Sequence, residues 1–160
     1  MVLSVDIHRS RRDTIAAGYE HVAALLDDLP ATLAHFPRLH NLVPVAPDHF
    51  HWHLSPIGPA AYRTPVDFAT RFTIDRPRGR VRFEPVKGVG SAAIGGRITL
   101  APEGEDHTAL EMTIAGTVHV AAPRLLKPLA APVVAREFNA LVDGFIANLK
   151  SAHLQPRKTA

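Results

Sequence analysis

Between residues 48 and 120 the apolar residues fall on every second position. Phe50, Trp52 and Leu54 form the first such run, followed by Val66, Phe68, Thr70, Phe72 and Ile74. Val81, Phe83 and Pro85 come next, then Ala92, Ile94, Gly96, Ile98 and Leu100, and finally Leu110 to Val120 at even positions. A period of two places successive side chains on opposite faces of a strand. Short turn-rich links such as RPRG, KGVG and PEGEDH separate the runs, so the strands are expected to form an antiparallel meander. The complementary positions carry Asp67, Arg71, Thr73, Arg82, Glu84, Arg97, Thr99, Glu111, Thr113 and His119, which reads as a charged, solvated outer face.

The same alternation decides the orientation of DHFHWHL, residues 48–54. A one-residue slip would move a whole hydrophobic set into water. Phe50, Trp52 and Leu54 therefore point inward, and His49, His51 and His53 point outward. His-x-His on a strand is a chelating geometry, but a metal site needs a third convergent ligand with support behind it. Only Asp48 is near in sequence, so the expectation is surface histidines and no metal.

The flanks bring in helices. Residues 2–9 alternate as a strand, with Leu3, Val5 and Ile7 on one face. Ser10 and Asp13 then resemble a capping box, which predicts a helix from that point carrying Ile15, Tyr19, Val22, Leu25, Leu26 and Leu29. Pro30 ends this helix or opens the next, and Leu33, Phe36 and Leu39 suggest a short second helix stopped before Pro44. In the last third, Pro123, Pro128 and Pro132 interrupt the beginning. From Val133 onward, Val134, Phe138, Leu141, Val142, Phe145 and Leu149 make one apolar helix stripe.

Composition narrows the functional classes. The chain has 160 residues, 46% of them hydrophobic, enough for one ordinary core. It has no cysteine, which removes disulfides, thiolate metal sites and cysteine nucleophiles. The net charge of +3 is small, and the basic residues are interspersed with acids, so no nucleic-acid partner is expected. The N-terminal apolar run is too short for a signal sequence, and no stretch approaches the roughly 18 apolar residues of a spanning helix. A soluble cytoplasmic protein is expected, with residues 1–155 as one domain and 156–160 as a flexible tail.

The inward set carries no carboxylate or lysine in this reading. No Gly-x-Ser-x-Gly elbow, phosphate loop or dinucleotide fingerprint occurs. Tyr19, His35, His40, Tyr62 and Arg63 are the groups that could reach in from helices and loops for proton transfer. Gly96 and Gly116 lie mid-strand on the inner face, where glycine signals a bend, a bulge or room against the backbone. Either sheet curvature around a filled core or a ligand cavity would explain them.

The order is a strand, two short helices, a meander and a long amphipathic helix. It resembles the START/SRPBCC superfamily, the helix-grip fold, and within it the polyketide cyclase/dehydrase and lipid-transport-like branch. The resemblance rests on LLDDLPATLAHFPRLHNLVP, GGRITLAPEGEDHTALEMTI and PLAAPVVAREFNALVDGFIANLK, and spans roughly residues 2–152. The proline-rich entry Pro123–Pro132 departs from that pattern. The resemblance implies an α+β fold, with a curved antiparallel sheet of six or seven strands wrapped around the C-terminal helix and an apolar cavity between them. The expected ligand-binding residues are Trp52, Phe68, Phe72, Phe83, Ile94, Gly96, Ile98, Met112, Ile114, Phe138, Leu141, Val142 and Phe145, with no catalytic residue and no cofactor. Three functions stay open: a carrier of a hydrophobic small molecule (lipid, isoprenoid, quinone or polyketide-like), a polyketide cyclase/dehydratase-like enzyme, and a protein-interaction domain with a filled core. Entry gates are expected at KGVG, at SPIGPAAY and at APRLLKPLAAP. In the last of these, Leu125, Leu126 and Leu129 beside Arg124 and Lys127 suit a transient contact with an anionic membrane.

Overall fold

The computed structural model describes residues 3–154; the expected tail at 156–160 lies outside them. Seven strands form one sheet: β1 (Leu3–Ile15), β2 (Leu39–Ala46), β3 (His49–Ile57), β4 (Thr64–Asp75), β5 (Arg80–Pro85), β6 (Ala92–Pro102) and β7 (Thr108–Val120). Their spatial order is β1-β7-β6-β5-β4-β3-β2, antiparallel throughout. The meander thus runs unbroken from β2 to β7, and the N-terminal strand adds itself beside β7. Two short helices, α1 (Tyr19–Ala23) and α2 (Leu29–Leu33), link β1 to β2, and the long helix α3 (Lys127–Leu154) packs on the sheet's apolar face. This is the α+β helix-grip architecture expected from the sequence.

The alternation from β3 to β7 is borne out in burial except in β4, where Ile74 at the strand's end is exposed and Ala69 of the opposite phase is buried. Phe50, Trp52, Leu54, Phe68, Phe72, Val81, Phe83, Ile94, Ile98, Met112 and Ile114 are all buried. The α3 stripe is buried too, through Val134, Phe138, Leu141, Val142, Phe145 and Leu149. At roughly 1.5–3 kcal/mol for each large apolar side chain removed from water, this interface dominates the favourable side of folding.

Three sequence expectations are corrected. Ser10 and Asp13 do not start a helix: β1 continues to Ile15, paired with β7 along its full length. Its inward positions after Ile7 are Arg9, Arg11 and Asp13, so the helix-facing side of the sheet does carry a carboxylate. These charges meet α3. Arg9 grips Asp143 with both of that residue's oxygens (2.8 and 2.9 Å), Arg11 reaches it at 2.6 Å, and Lys150 meets Asp13 at 2.9 Å. The alternation of β1 fades because its partners are ionic and lie more than 130 residues ahead.

The second correction concerns residues 34–46. α2 ends at Leu33, with Pro30 in its first turn and Asp28 accepting from Ala31 N–H at 3.2 Å. Leu39 belongs to β2, an edge strand. Pro44 is tolerated there because an edge strand leaves one side of its backbone without ladder bonds. Third, α3 begins at Lys127 and not at Val133. Pro128 sits in its first turn, where an amide proton has no intrahelical partner. Pro132 forfeits only the bond to residue 128 at the same exposed end.

Candidate functional site

Between the sheet and α3 lies a small apolar cavity of about 10 Å³. Its walls are Phe36, Trp52, Leu54, Phe68, Phe83, Ile114, Phe138 and Leu141. Trp52, Phe68, Phe83, Ile114, Phe138 and Leu141 were expected from the strand and helix phases. Phe72, Ile94, Ile98, Met112, Val142 and Phe145 belong to the surrounding core and do not line this space. Phe36 and Leu54 join the walls. Leu54 was legible as an inward strand residue, whereas Phe36 was read as part of a helix.

Aromatic rings fill the interior. Trp52 stacks on Phe68 (centroids 5.2 Å, 18° between planes), and Phe72 stacks on Phe83 at 5.2 Å. Phe36 meets the edge of Trp52 at 5.4 Å and lies on Phe145. The indole is pinned by a buried hydrogen bond, Trp52 Nε1–H to Thr70 Oγ1 at 2.8 Å. A space of about 10 Å³ accommodates at most one water.

Gly96 does not enlarge the cavity, and neither does Gly116. A Cβ at Gly96 would lie 2.2 Å from the Thr113 carbonyl and 2.8 Å from the Phe83 ring; one at Gly116 would lie 2.1 Å from the Ala93 carbonyl. Glycine at these positions lets neighbouring strands approach closely, which favours the curvature explanation over an opened volume.

One segment closes the interior from the side. His35 to Arg38, between α2 and β2, runs along α3 as a strap. Asn148 donates to the His35 carbonyl at 2.7 Å, Phe36 covers Phe145, and Pro37 rests against Gly144. Arg38, the only non-glycine with positive φ (+64°) among the described residues, holds Glu137 at 3.0 Å and the Pro56 carbonyl at 2.8 Å. Left-handed backbone at a non-glycine residue persists only when its surroundings hold it.

Glu137 also fastens the expected gate in SPIGPAAY. It accepts from Gly58 N–H at 3.0 Å and from Arg63 at 3.3 Å, while Arg63 donates to the carbonyls of Pro56 and Gly58. Burial pushes the Glu137 carboxyl up, but the Gly58 and Arg38 hydrogen bonds and the two guanidinium charges outweigh it and hold the pKa below its ordinary value. The expected gate at KGVG is tied down at its end, where Ser91 N–H donates to the Asp67 carbonyl at 2.9 Å.

The groups considered for proton transfer do not converge. His40 meets Ser55 Oγ at 2.7 Å at an exposed position, Arg63 is engaged as above, and Tyr19 and Tyr62 pack at the rim of the core. None of Tyr19, His35, His40, Tyr62 and Arg63 is among the residues lining the cavity. The outer face of β3 holds something the sequence did not place: Asp67 of β4 stands opposite His53, so that His51, His53 and Asp67 share one patch.

No protein-family model and no curated protein matches the chain. Solved structures do. A START superfamily protein from Mycobacterium smegmatis superposes with a TM-score of 0.68 at 15% identity, over 92% of this chain and 97% of that one. The Zhui aromatase/cyclase from Streptomyces sp. R1128 gives 0.61 at 16% identity over 93% and 92%, respectively. A truncated norcoclaurine synthase from Thalictrum flavum gives 0.57 at 14% identity over 96% and 97%. The chain therefore has the helix-grip fold that these proteins share.

Proposed function

We propose that the protein binds a hydrophobic small molecule between the sheet and α3, after the strap carrying Phe36 has moved aside. The observation that supports this is the chemistry of the enclosed space. Its walls are wholly apolar and aromatic, and one of them belongs to an irregular segment instead of the sheet or the helix. Ligand pockets for small molecules typically measure about 300–1,000 Å³. A space of about 10 Å³ thus has to widen, and Phe36 is the wall that belongs to neither the sheet nor a helix. Lipids, isoprenoids, quinones and polyketide-like chains have the matching chemistry.

Two structural neighbours are, by name, an aromatase/cyclase and a synthase. An enzymatic reading for this chain would need a proton-transfer group facing the enclosed space, and the five candidates stand elsewhere. Carriage of the ligand is therefore preferred over its conversion. Leu125 and Leu129, 92% and 63% exposed beside Arg124 and Lys127, support loading from an anionic membrane. Among the described residues no helix is long and apolar enough to cross one.

Trp52 is the sole tryptophan and touches Phe36, so its fluorescence reports on the site. Native mass spectrometry of freshly purified protein should reveal a co-purified apolar compound. Refilling the stripped protein with fatty acids, prenols or quinones should change Trp52 emission saturably. If no compound is carried and no such ligand alters the emission, the filled-core interaction domain becomes the better reading.

A further inference from the structure

From the outer face of the sheet we infer a second site, a three-ligand centre for a zinc-type divalent cation formed by His51, His53 and Asp67. It is independent of the interior, since all three side chains point away from α3.

The fold brings the third ligand to the His-x-His pair. His51 and His53 lie on one face of β3, their rings stacked at 4.5 Å. In the register of β3 with β4, Asp67 pairs with His53 and Ala69 with His51. The small side chain at 69 leaves the His51 ring free to lean along the strand toward Asp67. One ligand atom from each residue lies within 4.8 Å of the others. His51 Nε2 and Asp67 Oδ2 are 3.4 Å apart. Zinc bound tetrahedrally at roughly 2.0–2.1 Å sets adjacent ligand atoms about 3.3–3.4 Å apart. That edge of the site is already at ligand spacing, and rotation of His53 completes it.

Two further observations point to a cation. His51 Nε2 is shielded from solvent yet has no hydrogen-bond partner among the described residues, because its approach to Asp67 is outside hydrogen-bonding geometry. An unpaired shielded nitrogen is costly, and coordination would satisfy it. Asp67 is also held from behind: Ser91 N–H, bonded to the Asp67 carbonyl at 2.9 Å, shares its proton with Oδ1 at 3.2 Å, while Oδ2 faces His51. Such outer support fixes ligand direction in metal sites. Two imidazoles and a carboxylate suit zinc and leave its fourth position open to water or an anion on the solvent side.

The test uses the full chain without a histidine tag, stripped by chelator and titrated with zinc chloride at neutral pH by calorimetry. One saturable equivalent per chain is expected. His53→Ala, His51→Ala and Asp67→Asn should each weaken binding by more than about tenfold. His49→Ala, on the same face but opposite Arg71, should bind as the wild type does. Cobalt(II) should give a visible absorption band of four-coordinate intensity that zinc displaces and Asp67→Asn abolishes. Circular dichroism identifies the folded variants, and any folded one of the three decides. The absence of saturable binding would overturn the site, as would a loss in His49→Ala equal to that in His53→Ala, which would mark diffuse histidine binding.

Discussion

Phe36 lies flat on Phe145, with ring centroids 4.0 Å apart and planes within 12° of parallel. One ring belongs to an irregular strap and the other to the centre of the long helix, so the two should respond differently to truncation. Phe145 is fully buried. Phe145→Ala should cost roughly 3–5 kcal/mol in urea unfolding. Phe36→Ala should cost clearly less, because the strap can settle into the space, and it should make Trp52 accessible to acrylamide quenching. Equal costs with Trp52 still shielded would show that Phe36 is a fixed part of the core.

Acid should loosen the seams between α3 and the rest of the fold. Burial raises the pKa of Asp143, but its hydrogen bonds and charge pairing with Arg11 and Arg9 bring it below the ordinary value. Asp13 follows the same balance with Lys150 and Thr14, and Glu137 with Gly58, Arg38 and Arg63. A folded-state pKa below the unfolded one means that the unfolded chain binds more protons in that window, so stability rises with pH there. The contribution is complete above the ordinary carboxylate range of about 4 and is lost as pH falls from there through the lowered values. Melting temperature should stay level from neutral pH to about 5 and drop below about 4. Glu137→Gln should melt lower than wild type at pH 7, with the gap closing toward pH 3. A gap that does not change with pH would mean that the charge of Glu137 contributes nothing.

The exposed leucines at the start of α3 give a membrane prediction. Wild-type protein should co-sediment with vesicles containing anionic lipid, and the bound fraction should fall with added salt, since charge attraction is screened within about 10 Å at 0.1 M. Leu125→Ser should reduce binding without lowering the melting temperature, because Leu125 is 92% exposed. Failure of the wild type to bind at low salt would remove membrane loading and leave the interior site untouched.

On the outer face, Arg82 stands directly opposite Arg97. Like charges in cross-strand register are unfavourable, and an opposite pair contributes about 0.2–1 kcal/mol. Arg82 has a carboxylate from Glu84 only at 3.8 Å, with both side chains mostly exposed, so that contact offsets little. Arg97→Glu should therefore raise stability to urea slightly. A loss instead would show that the two guanidinium groups share a partner.

The parts of the fold read correctly in advance are those whose side chains obey a simple polarity rule. β3 to β7 alternate because one face is dry and the other wet, apart from Ala69 and Ile74 in β4, and the α3 stripe from Val134 to Leu149 follows the same logic at helical spacing. β1 departs from its sequence pattern after Arg9, where a helix is expected, because Arg9, Arg11 and Asp13 occupy inward positions and are matched by Asp143 and Lys150, partners no local window contains. β2 is an edge strand with mostly exposed residues, with Pro44 inside it and Pro37 and Pro47 beside it, so it has no alternation to read. The interior walls were legible from phase alone except for Phe36, whose burial depends on a turn that docks on α3. The outer-face cluster was half visible: the histidine pair is local, but Asp67 arrives through strand register.

Gly144 sits in the middle of a helix, a position where alanine would be more favourable by about 1 kcal/mol. Pro37 occupies the place of the missing side chain, for a Cβ there would stand 2.7 Å from its ring. A single methyl group at 144 would therefore act on two equilibria in opposite directions, firming the helix and wedging the strap outward. Since about 1.4 kcal/mol is a tenfold ratio, the side-chain volume at this one helix position can set what fraction of molecules rests with Phe36 seated and what fraction is ready to admit a guest.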